Sequence, residues 1–186
     1  MIASACDPRI ERSRSAIHSA TIEELAEVGY GAMTIESIAR RAGVGKATIY
    51  RHWRGKLDLV ASALETIKED VVAPTEGTVR ARVTTVLEAL AVHLADSDLA
   101  RCLPALISAA QYDDGVREFQ RGFSRERRGL LIALLDEGIA SGELSADLDP
   151  ELAAAVLAGP LFYSRLLSHE PFPPGRVAQV VALVLG

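Results

Sequence analysis

The sequence predicts an all-α fold of about nine helices, a three-helix head followed by a C-terminal helical bundle. Ala and Leu dominate, the polar–apolar alternation of strands is absent, and 49% of the 186 residues are hydrophobic, enough for a real core. No apolar run approaches the roughly 18 residues that span a bilayer. The first residues, MIASACDPRIERSR, lack the apolar core of a signal peptide. We therefore expect a cytoplasmic protein without a membrane partner.

Three helices are predicted in the head, residues 1–55. The first covers residues 8–28, with Gly29 suited to the position just after its end. Thr34 is placed to cap a second helix, whose apolar residues recur at helical spacing, and Gly43 ends it. A third, short helix covers about residues 45–53. Two short helices joined by a glycine-containing turn are the layout of a helix-turn-helix.

The second domain, residues 56–186, is predicted to be a bundle of six further helices. Asp149-Pro150-Glu151 marks a helix start, with a cap, a proline at the first position and an acid in the first turn. Pro104 either bends a helix or lies near the start of a shorter one. The six predicted helices cover about residues 56–72, 78–95, 98–111, 115–141, 150–168 and 174–185.

Segment 42–56, AGVGKATIYRHWRGK, is basic and aromatic and contains no acid, although the chain has 25 Asp and Glu against 20 Lys and Arg. On a helix, Ile49 and Trp53 turn toward the preceding helices. The opposite face carries Lys46, Tyr50, Arg51 and Arg54. Such a row can reach phosphates and base edges in a major groove. A solvated basic face is the alternative, which the turn layout and the interleaved aromatics disfavour.

The segment TIESIARRAGVGKATIYRHWRGKLDLVASAL closely resembles the DNA-binding region of TetR (tetracycline-repressor-like) transcriptional regulators. AIHSATIEELAEVGYGAMT is similar to the first helix of that family, and AGPLFYSRLL resembles a helix of one of its C-terminal subfamilies. The head resemblance covers about residues 10–64. It implies a double-stranded DNA operator as partner, a homodimer, and a body that binds a small-molecule effector.

Ten residues are predicted to contact DNA. Arg40 and Arg41 end the second helix, and the helix N-termini near residues 34, 45 and 56 offer backbone N–H groups to phosphates. Gly45 stands where the family often has Ser or Thr, so it offers an N–H but no hydroxyl. The resemblance implies DNA-contacting positions at Thr34, Lys46, Thr48, Tyr50, Arg51, His52 and Lys56.

A dimer interface is predicted on the last two helices. From Leu152 to Ser164 there is no charged residue, and the segment RVAQVVALVLG is similarly apolar. Helices that are apolar all round must be covered on every face. Burial within one protomer is the alternative to a four-helix bundle between two protomers. The predicted interface consists of Leu152, Val156, Gly159, Pro160, Tyr163, Leu167, Val177, Val181 and Val184.

The resemblance implies an effector pocket, but the sequence specifies it poorly. Candidate lining residues are the sparse polar and aromatic side chains of the body: His93, Cys102, Ser108, Gln111, Tyr112, Phe119, Phe123 and Phe162. Each is also compatible with an ordinary core or surface position. No charge cluster points to a phosphate-bearing or metal-bearing ligand, so a largely apolar effector is expected. No cofactor and no metal are predicted.

The expected function is that of a sequence-specific DNA-binding regulator, a homodimeric repressor that a small apolar ligand releases. The alternative is a constitutive DNA-binding or partner-binding helical protein without an effector. An enzyme is not expected, because no glycine-rich phosphate loop is present. His93 and Asp96 are three residues apart on a predicted helix, and nothing in the sequence favours a set of acid, base and nucleophile.

Overall fold

The computed structural model describes residues 8–67 and 72–186, and these contain nine α-helices and no strand. The all-α prediction is therefore confirmed. The helices are α1 (Pro8–Ala32), α2 (Ile35–Ala42), α3 (Lys46–His52), α4 (Lys56–Thr66), α5 (Val79–Ala95), α6 (Asp98–Ala110), α7 (Asp114–Ala140), α8 (Pro150–Tyr163) and α9 (Val177–Leu185). A π-helical turn, Ser164–Ser168, follows α8, and a 3₁₀ turn, Pro174–Arg176, precedes α9.

Two compact units make up the described chain. The first comprises the described residues 8–67 with Arg101–Gln120, and the second comprises the described residues 72–100 with Arg121–Gly186. The predicted functional boundary after residue 55 stays a prediction, and α4 groups with the first unit. None of the helices in the described ranges is both long and apolar enough to cross a membrane.

The first unit is organised around α1, which packs against α2 and α4. Gly29 has a φ of 80° and kinks α1 at the predicted end of the first helix. The Thr34 hydroxyl accepts a hydrogen bond from the Ser37 N–H, and the Thr34 N–H donates to the Ser37 hydroxyl, which closes a capping box on α2. Gly43, with a φ of 67°, ends α2 in the left-handed conformation.

The second unit packs α5 against α8 and α9. The Glu143 carboxylate accepts hydrogen bonds from the backbone N–H groups of Val79 and Arg80 and so caps α5 from a distant loop. These two bonds lower the pKa of Glu143. Asp149 caps α8 as predicted, with Pro150 in the first turn.

One predicted helix end was wrong. The helix predicted for residues 56–72 ends at Thr66, and part of the predicted remainder, residues 68–71, lies outside the described residues. The helix predicted for residues 150–168 continues past Tyr163 as the π-helical turn, which ends at Ser168 as predicted. Pro104 lies inside α6, seven residues into the helix, so it is not a first-turn proline.

Two glycines of α7 allow a matched test of packing. A Cβ added at Gly138 would lie 2.6 Å from Leu144 Cδ1 and 3.0 Å from Val79 Cγ1, whereas one at Gly129 would meet nothing within 4 Å. Gly138→Ala should therefore destabilise the protein by about 1–3 kcal/mol, as overpacking does. Gly129→Ala should stabilise it by about 0.5–1 kcal/mol through helix propensity. Urea denaturation of both variants checks this, and a stabilised Gly138→Ala would contradict the packing.

Candidate nucleic-acid interface

The short helix α3 is held by two buried side chains. Ile49 is fully buried and Trp53, the C-cap residue, is 4% exposed. The Trp53 ring meets the rings of His18 on α1 and His52 edge-on, with centroid distances of 5.3 and 5.6 Å. His18 Nε2 lies 3.0 Å from the Ser62 hydroxyl of α4. Trp53 and His18 thus link α3 to the two helices beneath it.

The ionisation state of His18 fits this structural position. Burial, and then the positive charge of Arg14, lower the pKa of His18. Because an ordinary histidine titrates near 6.5, a lowered pKa keeps this imidazole neutral at pH 7. A neutral ring suits its packing against Trp53 and its hydrogen bond with Ser62.

The opposite face of α3 is open to solvent, as predicted. The exposed residues on this face are Lys46, Arg51, His52 and Tyr50, the last of them 57% exposed. Thr48 is half-buried. Arg54 is also exposed but lies beyond the end of α3. The face therefore presents cations and an aromatic ring outward while Ile49 and Trp53 anchor it. This is the arrangement that places donors at the base edges of a major groove.

The basic face is not free of acid in space, although segment 42–56 is free of it in sequence. Lys46 Nζ lies 2.7 Å from Glu36 Oε1, and Glu36 projects from the first turn of α2. The Arg54 N–H donates to Asp58 Oδ2 at 2.9 Å. Both acids belong to the neighbouring helices α2 and α4, so segment 42–56 alone does not reveal them.

Arg41 occupies a different environment from the one predicted. Its Nη2 lies 2.6 Å from Glu27, its Nε 3.0 Å from Glu24 and its Nη1 3.2 Å from Glu23, all on α1. The hydrogen bond that the Arg41 guanidinium donates to the Glu27 carboxylate is the main reason that the Arg41 pKa is raised. A guanidinium held by three carboxylates joins α2 to α1, so we expect it to serve packing rather than a phosphate contact. Its neighbour Arg40 is exposed.

Lys56 also uses its side chain inside the protein. Its Nζ donates to the carbonyl oxygens of Tyr30 at 2.6 Å and Met33 at 3.2 Å, and it lies 4.2 Å from the centroid of the Tyr30 ring. Burial lowers the Lys56 pKa. The ammonium thus satisfies carbonyls after the kink in α1. The side chain and the backbone N–H of Lys56 were both predicted to contact DNA. The side chain is engaged within the protein, so we expect the backbone N–H, in the first turn of α4, to make the contact.

The predicted effector-pocket residues are distributed over both units. Cys102 is buried with its sulfur 3.7 Å from the Ile22 carbonyl, so it belongs to the core of the first unit. A cleft of about 410 Å³ in that unit is lined by Tyr30, Lys56, Ser108, Tyr112 and Asp113, among others. Two further predicted residues belong to the first unit, the exposed Gln111 and the half-buried Phe119. The remaining three, His93, Phe123 and Phe162, belong to the second unit.

The surface of α8 and α9 agrees with the predicted interface only in part. Leu152, Val156, Tyr163 and Leu167 are between 47% and 67% exposed, and Gly159 is exposed too. Pro160 and Val184 are half-buried. Val177 and Val181, at 0% and 4%, are core residues of the second unit, so their assignment to an interface was wrong. Leu183, missed from the sequence, is 86% exposed on α9.

The fold and the anchored basic helix define a helix-turn-helix transcriptional regulator. A model of the tetR family of bacterial regulatory proteins matches residues 17–63, and a model of the tetracyclin repressor-like C-terminal domain matches residues 73–184. The chain belongs to the TetR family. It is a transcriptional regulator and not an enzyme, and regulators of this family bind DNA.

Similar proteins support this assignment. The uncharacterized HTH-type transcriptional regulator YdeS of Bacillus subtilis is 34% identical over 176 residues, which are 94% of this chain and 88% of YdeS. A putative transcriptional regulator from Pseudomonas aeruginosa PAO1 has a similar structure, with a TM-score of 0.73, 26% identity, and coverage of 97% of this chain and 90% of that one. FadR from Bacillus subtilis in complex with stearoyl-CoA shares the fold, with a TM-score of 0.69, 24% identity, and coverage of 92% and 97%.

Arg40 and Arg41 give a test of which arginine meets DNA. Arg40→Ala should make the plot of log affinity against log salt shallower by about 0.9 per protomer, because one phosphate contact is lost. Arg41→Ala should lower the melting temperature and leave that slope unchanged, because its guanidinium serves α1. Fluorescence anisotropy with duplex DNA at several salt concentrations, beside thermal melts, separates the two. A shallower slope for Arg41→Ala without a change in melting would contradict the assignment.

Proposed function

We propose that this TetR-family regulator is a homodimeric, sequence-specific repressor that a small ligand releases from its operator. The observation that supports the DNA-binding part is the outward face of α3, cationic and aromatic, with Ile49 and Trp53 buried beneath it. Such a regulator acts in the cytoplasm, where its operator is. Its proposed side-chain contacts to DNA are Arg40, Lys46, Thr48, Tyr50, Arg51 and His52.

Backbone groups add to these contacts. The capping box at Thr34 leaves its hydroxyl engaged with Ser37, so we expect N–H groups of the first turn of α2, rather than that hydroxyl, to meet a phosphate. The first turn of α4 at Lys56 offers the same kind of donor. Gly45 caps α3 without a side chain and permits close approach of the DNA backbone.

The homodimer is supported by an exposed apolar surface. Leu152, Val156, Tyr163 and Leu167 on or just after α8, with Leu183 on α9, expose large side chains that a monomer would bury or replace. A single groove-reading helix binds weakly, and dimers place two such helices one helical turn of DNA apart, about 34–36 Å. A second copy of the chain meets both requirements.

The ligand is proposed to combine an apolar chain with an acidic or carbonyl-bearing group. Among the described residues, the Nε atoms of Arg128 and Arg165 are buried in the second unit without a hydrogen-bond acceptor in the protein. Arg165 also donates through Nη2 to the Ala100 carbonyl at 3.3 Å. Buried N–H groups without acceptors are costly, so an oxygen-bearing ligand is favoured. FadR, which shares the fold, binds stearoyl-CoA, and a long-chain acyl compound has both features.

The function is tested in two steps. Wild-type protein is first used to select duplexes from a random DNA pool, and the selected sequence should be a near-palindrome bound by two protomers. Stearoyl-CoA, stearate, coenzyme A and stearyl alcohol are then titrated into that complex. We expect at least one of the acyl compounds to weaken DNA binding by a factor of about 5–150, the usual range of allosteric coupling, and coenzyme A alone to have no effect.

The outcomes separate the competing functions. Selection of no sequence would contradict the regulator proposal itself. A selected duplex that every one of the four compounds leaves bound would favour the constitutive DNA-binding alternative. Release by stearyl alcohol as effective as release by stearate would support an apolar effector and contradict the role given to Arg128 and Arg165.

A further inference from the structure

The ion pair between Glu36 and Lys46 has no role in the function proposed so far. Glu36 Oε1 and Lys46 Nζ are 2.7 Å apart, and their side chains are 59% and 54% exposed. Such an exposed pair adds little stability. Holding an acid beside the most N-terminal cation of the DNA-reading helix therefore needs an explanation other than folding.

The location of the pair relates it to DNA recognition. Glu36 lies in the first turn of α2, and Lys46 is the first residue of α3. In a helix-turn-helix, the first helix crosses the DNA backbone, and the N-terminal residues of the second contact base edges. On the proposed function, both partners of the pair therefore lie at the DNA. Glu36 remains beside Lys46 when the Lys46 ammonium binds a phosphate or a base.

The two kinds of acceptor on DNA differ in charge. A phosphate carries a full negative charge, so it repels the Glu36 carboxylate when both approach the same ammonium group. The O6 and N7 atoms of guanine are neutral acceptors, and the three N–H donors of Lys46 can serve guanine and Glu36 together. The carboxylate thus penalises the phosphate contact, which any sequence offers, and tolerates the base contact, which only some sequences offer.

We propose that Glu36 is a specificity-determining residue that directs Lys46 away from phosphate and onto a guanine in the major groove. This inference rests on the DNA-binding function proposed above and goes beyond it by assigning discrimination to an acidic residue outside the recognition helix. Glu36 lowers binding to non-specific DNA more than it lowers binding to the operator.

The experiment compares Glu36→Gln with Glu76→Gln, which removes the same charge from an exposed residue of the second unit. Affinities are measured across salt concentrations for a duplex selected by the wild-type protein and for a scrambled duplex of equal length. Glu36→Gln should tighten scrambled-duplex binding by about two- to fivefold per protomer. It should also steepen the salt slope on that duplex by about 0.9 per protomer.

The selected duplex should change less, so the ratio of the two affinities should fall. The double variant Glu36→Gln/Lys46→Gln should bind both duplexes as Lys46→Gln alone does. Without the Lys46 ammonium, removing the Glu36 carboxylate should have no further effect. The proposal would be overturned if Glu36→Gln bound both duplexes more tightly by the same factor, or if its affinities matched those of Glu76→Gln. Glu36 would then act only as a general repulsive charge. Wild-type protein that selects no sequence would overturn the proposed function as well, so the two failures are distinguishable.

Discussion

The proposed DNA-binding surface depends on the burial of Ile49 and Trp53 at one side of a seven-residue helix. A helix as short as α3 is unstable alone, because nucleation costs more than so few hydrogen bonds return. Packing must therefore hold it in place. Trp53 is buried and is itself flanked by His18 on α1, which is hydrogen-bonded to Ser62 on α4. The orientation of every exposed residue of α3 follows from this arrangement.

Glutamates on the two preceding helices reduce the positive charge that the sequence suggests. Arg41 is shared among three glutamates of α1, Lys46 is paired with Glu36, and Lys56 serves backbone carbonyls. Arg51 and Arg40 are exposed cations of the head. A surface with fewer available cations binds non-specific DNA less tightly, so base contacts decide more of the affinity. On the proposed function, this arrangement favours discrimination between sequences over strong attraction to any DNA.

Local signals in the sequence were enough to predict the helices, the caps at Thr34 and Asp149, and the two sides of α3. Contacts between separate helices were not predictable, because Glu36 and Glu27 meet their basic partners only after α1, α2 and α3 pack. Because α9 is apolar on all faces, its sequence does not show which face points inward. Val177 and Val181 were therefore assigned to the outward face, and Leu183 was missed. The proposed ligand contacts were the least predictable, since Arg128 and Arg165 are ordinary charged residues in the sequence and only the fold buries their Nε atoms.

The central claim is that one face of α3 anchors the helix while the other contacts DNA. The most direct measurement compares Trp53→Ala with Tyr50→Ala by thermal melting and by binding to a duplex selected by the wild-type protein. The claim predicts that Trp53→Ala destabilises the head by about 3–5 kcal/mol, as for a buried large side chain. It also predicts that Tyr50→Ala melts like wild type and binds the duplex more weakly. A Trp53→Ala variant with wild-type melting, beside a Tyr50→Ala variant that unfolds, would contradict it.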